Sequence, residues 1–309
     1  MSSTFHVEPF STKHYELGEG PHWHPKSKKL FFVDIPEGLV LTLDNEKKEE
    51  ILLKEQEPVS AVLPVDGEPN KMVVSVGTAV YSVDSTTGKK VLLDKLLRDD
   101  IRFNDAKCDP RGRLWIGTMG LEVSPAVVKA EQGSLYMLNS DGKLLEKMDK
   151  VTLSNGISWS NDHKSIYYID SVKRVVYVLD YDIETGNIVN RRILVDMNKD
   201  DEFNSKELPD GMTIDINGNL WVAIFRGSRI VNIDAKTGKV IQSIRFPTSL
   251  ITSCCFGGTN LDEMYVTSSY KFLDNELKVK EPLAGYVFKV TSDDKNFRGR
   301  EANFDFCQN

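Results

Sequence analysis

Short runs of apolar, β-branched and aromatic residues recur along the chain, separated by turns rich in Gly, Asn and Asp. Six of these runs resemble one another, and their first positions are 42, 42, 52, 54 and 44 residues apart. They occupy residues 30–34, 72–76, 114–118, 166–170, 220–224 and 264–268. A repeat of that length with several strands per unit is typical of propeller blades. The pattern therefore predicts an all-β, six-bladed β-propeller that forms a single domain over residues 1–309.

Two further segments bear on how the propeller closes. Residues 5–10 have a strand pattern and precede the first repeat, so we expect them to pair into the last blade and leave no open sheet edge. Residues 270–282 are polar and charged, and we expect a long loop over one face. Amphipathic helix patterns are absent from the sequence.

Composition excludes several classes of partner. The net charge of -7 disfavours nucleic acid, whose binding normally requires a basic surface. No apolar run approaches the length of a membrane span, and the N-terminus lacks the features of a signal peptide. The four cysteines show no CxxC motif or disulfide spacing, which indicates buried free thiols in a reducing compartment. We expect a cytoplasmic monomer without nucleic-acid or membrane partners.

The repeat also places polar residues at one common position, about ten or eleven residues before each of the six runs, where the innermost strand of a blade begins. Around the ring this position holds Glu19, Ser60 or Ala61, Asn104, Asn155, Asp210 and Ser253. A Gly-flanked Asp or Asn alone is most simply a turn residue. Four such side chains in equivalent positions instead converge near the propeller axis. Their carboxylate and amide oxygens suit one hard divalent cation.

Arg102 lies two residues before Asn104 on the same predicted strand, so both side chains point to the same side. A cation beside a metal site is suited to clamping a substrate. His22 and His24 share a strand face and could ligate zinc, but they lie outside the common position, and exposure is the simpler expectation. Ser154 and Ser253 lack a histidine at an equivalent position, so no Ser-His-Asp triad is indicated.

Several of these segments resemble the family of regucalcin (senescence marker protein), gluconolactonase and luciferin-regenerating enzyme. The resemblance covers nearly the whole chain. It rests on the motifs Gly18-Glu19-Gly20-Pro21, Arg102-Phe103-Asn104-Asp105, Gly117-Thr118-Met119, Ser154-Asn155-Gly156 and Pro209-Asp210-Gly211. The run Thr252-Ser253-Cys254-Cys255-Phe256-Gly257-Gly258 resembles the regucalcin branch in particular.

The resemblance implies a six-bladed propeller and assigns roles to individual residues. It implies that Glu19, Asn155 and Asp210 hold one divalent metal ion, which calcium, zinc, manganese or magnesium could supply. It also implies substrate contacts, which are assigned to Arg102, Asn104, Asp105 and Glu122. Where the family usually reads N-D-G-K, this chain has Ala106 after Asp105. If that position needed positive φ, the alanine would be strained and the substrate contacts would shift.

The expected activity is metal-dependent hydrolysis of a small sugar lactone. In this hypothesis the metal polarises the carbonyl, and Asp210 takes a proton from the attacking water. Three alternatives remain open at this point: a calcium-binding regulator without relevant catalysis, an interaction platform, and a hydrolase of the luciferin-regenerating type. A hydrophobic lid over the channel would favour the last of these.

Overall fold

The computed structural model describes residues 4–124, 127–139, 141–300 and 305–307. Its main strands form six four-stranded antiparallel sheets, in which sequential strands are neighbours. The innermost strands of adjacent sheets contact one another in a closed ring. This arrangement confirms the predicted all-β, six-bladed propeller, and the ring of inner strands surrounds a central channel.

The blades follow one another along the chain, each running from its inner to its outer strand. The first blade comprises Gly18–His24, Lys29–Asp34, Leu39–Asp44 and Glu49–Lys54, and the second Val59–Val65, Glu68–Val76, Ala79–Asp84 and Lys90–Lys95. The third comprises Ile101–Cys108, Leu114–Gly120, Gly133–Leu138 and Leu144–Val151, and the fourth Ser154–Trp159, Ser165–Asp170, Val175–Asp182 and Asn187–Asp196. The fifth comprises Leu208–Ile214, Leu220–Phe225, Arg229–Ile233 and Val240–Arg245, and the sixth Ile251–Gly257, Glu263–Ser268, Phe288–Ser292 and Phe5–Pro9. The six similar apolar runs of the sequence lie in the second strands.

The last blade contains strands from both ends of the chain. Phe5–Pro9 pairs antiparallel with Phe288–Ser292, with Val7 opposite Val290. The N-terminal strand thus covers the outer edge of a sheet whose other strands come from the C-terminal part of the chain. Such closure holds the first and last blades together.

Two short elements lie outside the blades. A small hairpin pairs Glu122–Ser124 with Val127–Val128 after the second strand of the third blade. The segment expected to be a long loop contains a helix, Asn275–Lys280, whose N-cap Asp274 accepts a hydrogen bond from the Leu277 amide. The expectation of loop alone was therefore wrong here. A helix of six residues is too short to give a periodic pattern, and its cap is the signal that the sequence offered.

A repeated aspartate fixes the turn between the first two strands in two blades. Asp215 accepts hydrogen bonds from the Asn217 and Asn219 amides at 2.9 Å and from Trp221 Nε1 at 3.0 Å. Asp109 makes the same three contacts in the third blade, with Arg111, Arg113 and Trp115. Each bond contributes about 1 kcal/mol net, and together they lock the turn against the core tryptophan.

The core lies between blades. Six clusters of buried apolar side chains each join two neighbouring sheets around the ring. The thiols of Cys108, Cys254 and Cys255 are buried and unpaired, as expected from the sequence, whereas the free thiol of Cys307 is only half-buried, contrary to that expectation. In the described part of the chain, no helix is long and apolar enough to cross a membrane.

Candidate active site

The site lies where the pairing between the inner and second strands of the blades is irregular. In all six blades, pairing between the inner and second strands shifts at the same place, for example between Glu19 and His22 or between Pro209 and Met212. A β-bulge leaves residues outside the regular ladder and redirects their side chains. At the common position, Asn104, Asn155 and Asp210 lie in this bulge, and Glu19 pairs with Val33 at its edge. All four side chains line one pocket.

Six of the seven predicted site residues line one pocket at this end of the channel: Glu19, Arg102, Asn104, Glu122, Asn155 and Asp210. Asp105 is not among the lining residues; its Oδ1 accepts a hydrogen bond from the Ala106 amide at 2.7 Å. Asp105 still acts on the site electrostatically, because its charge helps to raise the pKa of both Glu19 and Asp210. Ala106 lies outside the left-handed region, so replacing the family's usual glycine causes no backbone strain.

Glycine permits the close approach of neighbouring inner strands at the floor of the pocket. A Cβ atom on Gly156 would lie 2.8 Å from the Asp210 carbonyl oxygen, and one on Gly211 would lie 2.0 Å from Ser253 Oγ. A side chain at either position would push the strands apart. The glycines that follow Asn155 and Asp210 therefore bring these two residues together.

Two buried carboxylates dominate the electrostatics of the floor. Glu19 is 7% exposed and Asp210 is 9% exposed. Burial, reinforced by the charge of Asp105, raises the pKa of Glu19 to about 8. Burial also raises the pKa of Asp210, and the charge of Glu19 adds to this effect. Without a cation the pair therefore tends to retain protons, and a bound cation would favour its ionised form.

Asn155 is oriented to offer oxygen rather than nitrogen. Its Nδ2 donates to Ser171 Oγ at 2.9 Å, which directs Oδ1 to the other side. Asn104 Nδ2 lies 3.5 Å from that oxygen and makes its shorter bond, 2.8 Å, to the Ser154 carbonyl. The amide oxygen of Asn155 thus joins the two carboxylates in a set of oxygen donors suited to a hard divalent cation.

No three His, Cys, Asp or Glu side chains cluster as a metal site anywhere in the described ranges. A cation held by Glu19, Asp210 and Asn155 would have two carboxylates and one amide, with water or substrate in the remaining positions. Open coordination positions are typical of catalytic rather than structural metal sites. The residues present therefore fit the divalent ion that the resemblance implies.

Arg102 lies in the pocket wall between the floor and the mouth. One of its terminal nitrogens, Nη1, donates to the Phe103 carbonyl and to Asn104 Oδ1, both at 2.9 Å. Burial lowers the pKa of Arg102 to about 10, while the charges of Glu122 and Glu19 oppose that shift. The guanidinium remains charged at neutral pH. Glu122 is exposed at the mouth, on the small hairpin.

Sequence reasoning missed the rest of the pocket wall, which is apolar with the exception of Ser171. The additional lining residues are Leu17, Ile35, Met119, Val128, Leu153, Ser171, Val172, Leu208, Phe225 and Phe272. A signal was present: leucine stands two positions before Glu19, Asn155 and Asp210. Phe272 had no such signal, since the segment that carries it lies outside the repeat.

His22 and His24 are buried, contrary to the expectation of exposure. His22 Nε2 lies 3.0 Å from one carboxylate oxygen of Asp305, and His24 Nε2 lies 3.5 Å from the other. Asp305 belongs to the C-terminal segment 305–307, in which Phe306 forms a bridge to Val65. These residues lie at the far end of the inner strands from the pocket, so they are separate from the candidate site.

The fold and the pocket together define a six-bladed propeller with an acidic, oxygen-lined site at one end of its channel. Residues 17–270 match the family described as SMP-30/Gluconolactonase/LRE-like region. The chain belongs to this family. Bovine (Bos taurus) regucalcin is 40% identical over 292 residues, which cover 94% of this chain and 95% of the bovine protein.

Several solved structures have the same fold as this chain. A luciferin-regenerating enzyme aligns with a TM-score of 0.89 and 35% identity, covering 99% of this chain and 100% of the enzyme. A regucalcin from Agrobacterium tumefaciens, described as a calcium-binding protein, aligns with a TM-score of 0.86 over 99% of this chain and 98% of its own. A gluconolactonase from Xanthomonas campestris aligns with a TM-score of 0.72 over 93% and 89%. The last two are 23% and 19% identical, so they support the shared fold alone.

Proposed function

We propose that this chain is a metal-dependent lactonase that hydrolyses a small cyclic ester, with a sugar lactone of the gluconolactonase type as the first substrate to test. The observation that carries the proposal is the convergence of Glu19, Asp210 and the Asn155 oxygen on the pocket floor beside Arg102. Membership of a family that includes gluconolactonases supports the same reaction class.

Glu19, Asn155 and Asp210 would hold the divalent ion. When bound, that ion supplies Lewis acidity, which polarises an ester carbonyl and makes a nearby water more acidic. Asp210 accepts a proton as the water oxygen adds to the carbonyl carbon. The ester C–O bond of the ring then breaks, and the proton passes to the departing ring oxygen, which yields a hydroxy acid.

Arg102 is positioned to stabilise negative charge that develops on the carbonyl oxygen. Asn104 holds the guanidinium through its 2.9 Å bond to Nη1, so the cation is already oriented before substrate arrives. Glu122, at the mouth, is suited to accept a hydrogen bond from a substrate hydroxyl. Asp105 contributes negative charge behind the floor rather than a substrate contact.

The deciding experiment is hydrolysis of glucono-δ-lactone by metal-stripped protein that is re-supplied in turn with zinc, manganese, calcium and magnesium. We expect activity only with metal. We also expect Asp210→Asn to lower kcat by at least about 100-fold, the usual magnitude for loss of a general base. Asp66→Asn, at an exposed surface ion pair, is the matched control and retains activity. Full activity in Asp210→Asn would overturn the mechanism.

The same experiment also tests the calcium-binding alternative. If the protein binds one calcium ion tightly but hydrolyses no lactone with any metal, the calcium-binding regulatory function replaces the lactonase. The similarity to regucalcins, at 40% identity for the bovine protein, supports this alternative.

A further inference from the structure

The pocket is divided by polarity along its depth. The polar groups that reach the floor are those of Glu19, Asp210, Asn155, Asn104 and Ser171. Above them, the positions two residues before Glu19, Asn155 and Asp210 hold Leu17, Leu153 and Leu208, and all three line the pocket. The equivalent position before Asn104 holds Arg102. Around this level of the pocket, three of the four lining positions are therefore leucine and one is cationic.

A second level of the wall comes from the ends of the second strands and from residues just after them. The lining residues there are Ile35, Met119, Val172 and Phe225, and Phe272 joins them from the segment that follows the last blade's second strand. Apart from Arg102, the charged side chain near the mouth among the described lining residues is that of Glu122. Most of the surface above the floor thus has no hydrogen-bonding side chain.

Phe225 and Phe272 form an aromatic corner in this wall. Their ring centroids are 6.1 Å apart and the rings are nearly perpendicular, at 81°. Both belong to one apolar cluster with Leu250, Leu273 and Ala284. A cation lies over each ring, with Arg226 5.8 Å from the centroid of Phe225 and Lys271 5.3 Å from that of Phe272. A third planar group would pack against the remaining ring face or edge of this pair.

The segment that carries Phe272 is held in place by hydrogen bonds as well as by packing. Glu281 Oε2 accepts hydrogen bonds from the Ser249 amide at 2.7 Å and from Thr248 Oγ1 at 3.0 Å. Leu277 of the short helix packs against the same cluster. The aromatic corner is therefore pre-organised, which reduces the entropy that a ligand must overcome when it binds there.

A polyhydroxylated ring is poorly matched to this wall. Each hydroxyl that enters an apolar pocket loses water and requires a replacement partner, and the wall supplies few beyond Arg102 and Glu122. Arg102 Nη1 already donates to the Phe103 carbonyl and to Asn104. An apolar or aromatic substituent has no such requirement, and its transfer from water to the leucine and phenylalanine surface is favourable.

We propose that the preferred substrate is a lactone bearing an apolar or aromatic substituent, with its carbonyl over the polar floor and its substituent against Phe225 and Phe272. This inference rests on the proposed lactonase function. The chemistry is unchanged: water adds to the carbonyl carbon, the ring C–O bond breaks, and the proton moves through Asp210 to the departing oxygen. Selectivity resides in the wall, since the floor contacts only the ester.

The test compares three six-membered lactones with metal-loaded protein: glucono-δ-lactone, δ-valerolactone and δ-phenyl-δ-valerolactone. Each kcat/KM is divided by the uncatalysed hydrolysis rate of the same lactone, which removes differences in intrinsic reactivity. We expect the phenyl lactone to exceed δ-valerolactone by about 10-fold or more, in line with the burial of one aromatic group. We expect glucono-δ-lactone to be the poorest of the three.

Variants of Phe272 test whether its ring is the source of the preference among the lactones. Phe272→Ala is expected to lower kcat/KM for the phenyl lactone by about 10-fold and for δ-valerolactone by less than about twofold. Phe272→Leu, which keeps most of the apolar volume, is expected to fall between wild type and Phe272→Ala. The matched control is Leu277→Ala, in the same cluster but absent from the pocket wall, which should change the ratio between substrates little.

The outcomes separate the two proposals. If glucono-δ-lactone is the best substrate, or if Phe272→Ala lowers all three rates equally, the substrate inference is wrong and the lactonase stands. If no lactone is hydrolysed with any metal, the lactonase is wrong and the inference falls with it.

Discussion

Asn104 Nδ2 donates to the Ser154 carbonyl oxygen over 2.8 Å, so one side chain joins the inner strands of the third and fourth blades next to Asn155. The same amide accepts a hydrogen bond from Arg102 Nη1 through Oδ1. A single residue thus fixes both the spacing of two blades at the pocket floor and the direction of the guanidinium. Asn104 is in this sense a positioning residue as well as a part of the pocket wall.

Removing this amide should lower both catalytic activity and the free energy of unfolding. We expect Asn104→Ala to lower kcat/KM by about 10-fold or more, because a small displacement of a charged group from its productive geometry is costly. The loss in the free energy of unfolding should be about 1–2 kcal/mol, as for one or two hydrogen bonds. Steady-state kinetics and chemical denaturation of the same preparations measure both quantities.

Asn161 provides a close control at the other end of the propeller. Its Nδ2 donates to the Ile216 carbonyl at 2.9 Å, and its Oδ1 accepts from Arg300 at 3.1 Å. Asn161→Ala removes the same kinds of bond between two blades without touching the pocket. Equal losses of kcat/KM in the two variants would show that Asn104 acts through general stability and would contradict its positioning role.

The metal-free protein should lose stability as pH rises through the neutral range. Burial raises the pKa of Glu19 from 4.5 to about 8. Between these values the folded protein retains a proton that the unfolded chain has released, so the free energy of unfolding falls with increasing pH. This contribution is complete below pH about 4.5 and is lost as pH passes about 8. Thermal unfolding in chelator from pH 5 to 9 measures it.

Glu19→Gln removes this titration and should make the profile shallower, although Asp210, whose pKa burial also raises, still contributes to it. Glu8→Gln, at an exposed position, should leave the profile unchanged. A saturating divalent cation should reverse the trend, because the ion binds the deprotonated carboxylates more strongly as pH rises. A metal-free profile that is identical in wild type and Glu19→Gln would refute the assignment of the buried charge to this residue.

Asp34 and Asp170 occupy equivalent positions at the ends of the second strands in the first and fourth blades. Each accepts hydrogen bonds from the two residues just before an inner strand, where Leu17 and Leu153 line the pocket. Asp34 accepts hydrogen bonds from the Glu16 and Leu17 amides, both at 3.0 Å, and Asp170 accepts from the Thr152 and Leu153 amides at 2.9 and 3.1 Å. Each carboxylate uses one oxygen for each amide. An asparagine offers a single acceptor oxygen and would leave one of the two amides without its partner.

We therefore expect Asp34→Asn and Asp170→Asn each to lower the free energy of unfolding by about 1–3 kcal/mol. Asp44→Asn is the control, because Asp44 accepts two amides through the same oxygen and can keep both as asparagine. Urea denaturation compares the three. A loss in Asp44→Asn as large as in the other two would argue against this explanation.

The C-terminal segment should depend on Asp305. His24 Nδ1 accepts from the Ser27 amide at 3.3 Å, so the neutral ring carries its proton on Nε2, which faces Asp305. Asp305→Ala removes the acceptor for both histidines, and we expect faster amide hydrogen exchange at Phe306 and Cys307. Asp66→Ala, which breaks an exposed pair with Lys26, should leave that exchange unchanged. Unaltered exchange in Asp305→Ala would show that backbone pairing alone anchors the segment.

The sequence predicted the fold well because its apolar pattern repeats, and the same repeat led to residues that line the pocket. The apolar runs of the second strands mark each blade, and counting back from them reaches Asn155 and Asp210 in the bulge and Glu19 at its edge. The burial of His22 and His24 could not be read in this way, since it depends on Asp305, far away along the chain and outside the repeat. Phe272 was missed for the same physical reason: a long-range packing contact leaves no local pattern.

The bulge at the start of each inner strand has a consequence for how this propeller can change. A residue outside the regular ladder can be exchanged without breaking the cross-strand pairs on either side of it. The bulged positions can therefore change without loss of the backbone ladder, and in this chain they already hold hydroxyl, amide and acid side chains at Ser60, Asn155 and Asp210. New chemistry at the channel can be acquired by single substitutions, while the blades keep the hydrogen bonds that make them fold.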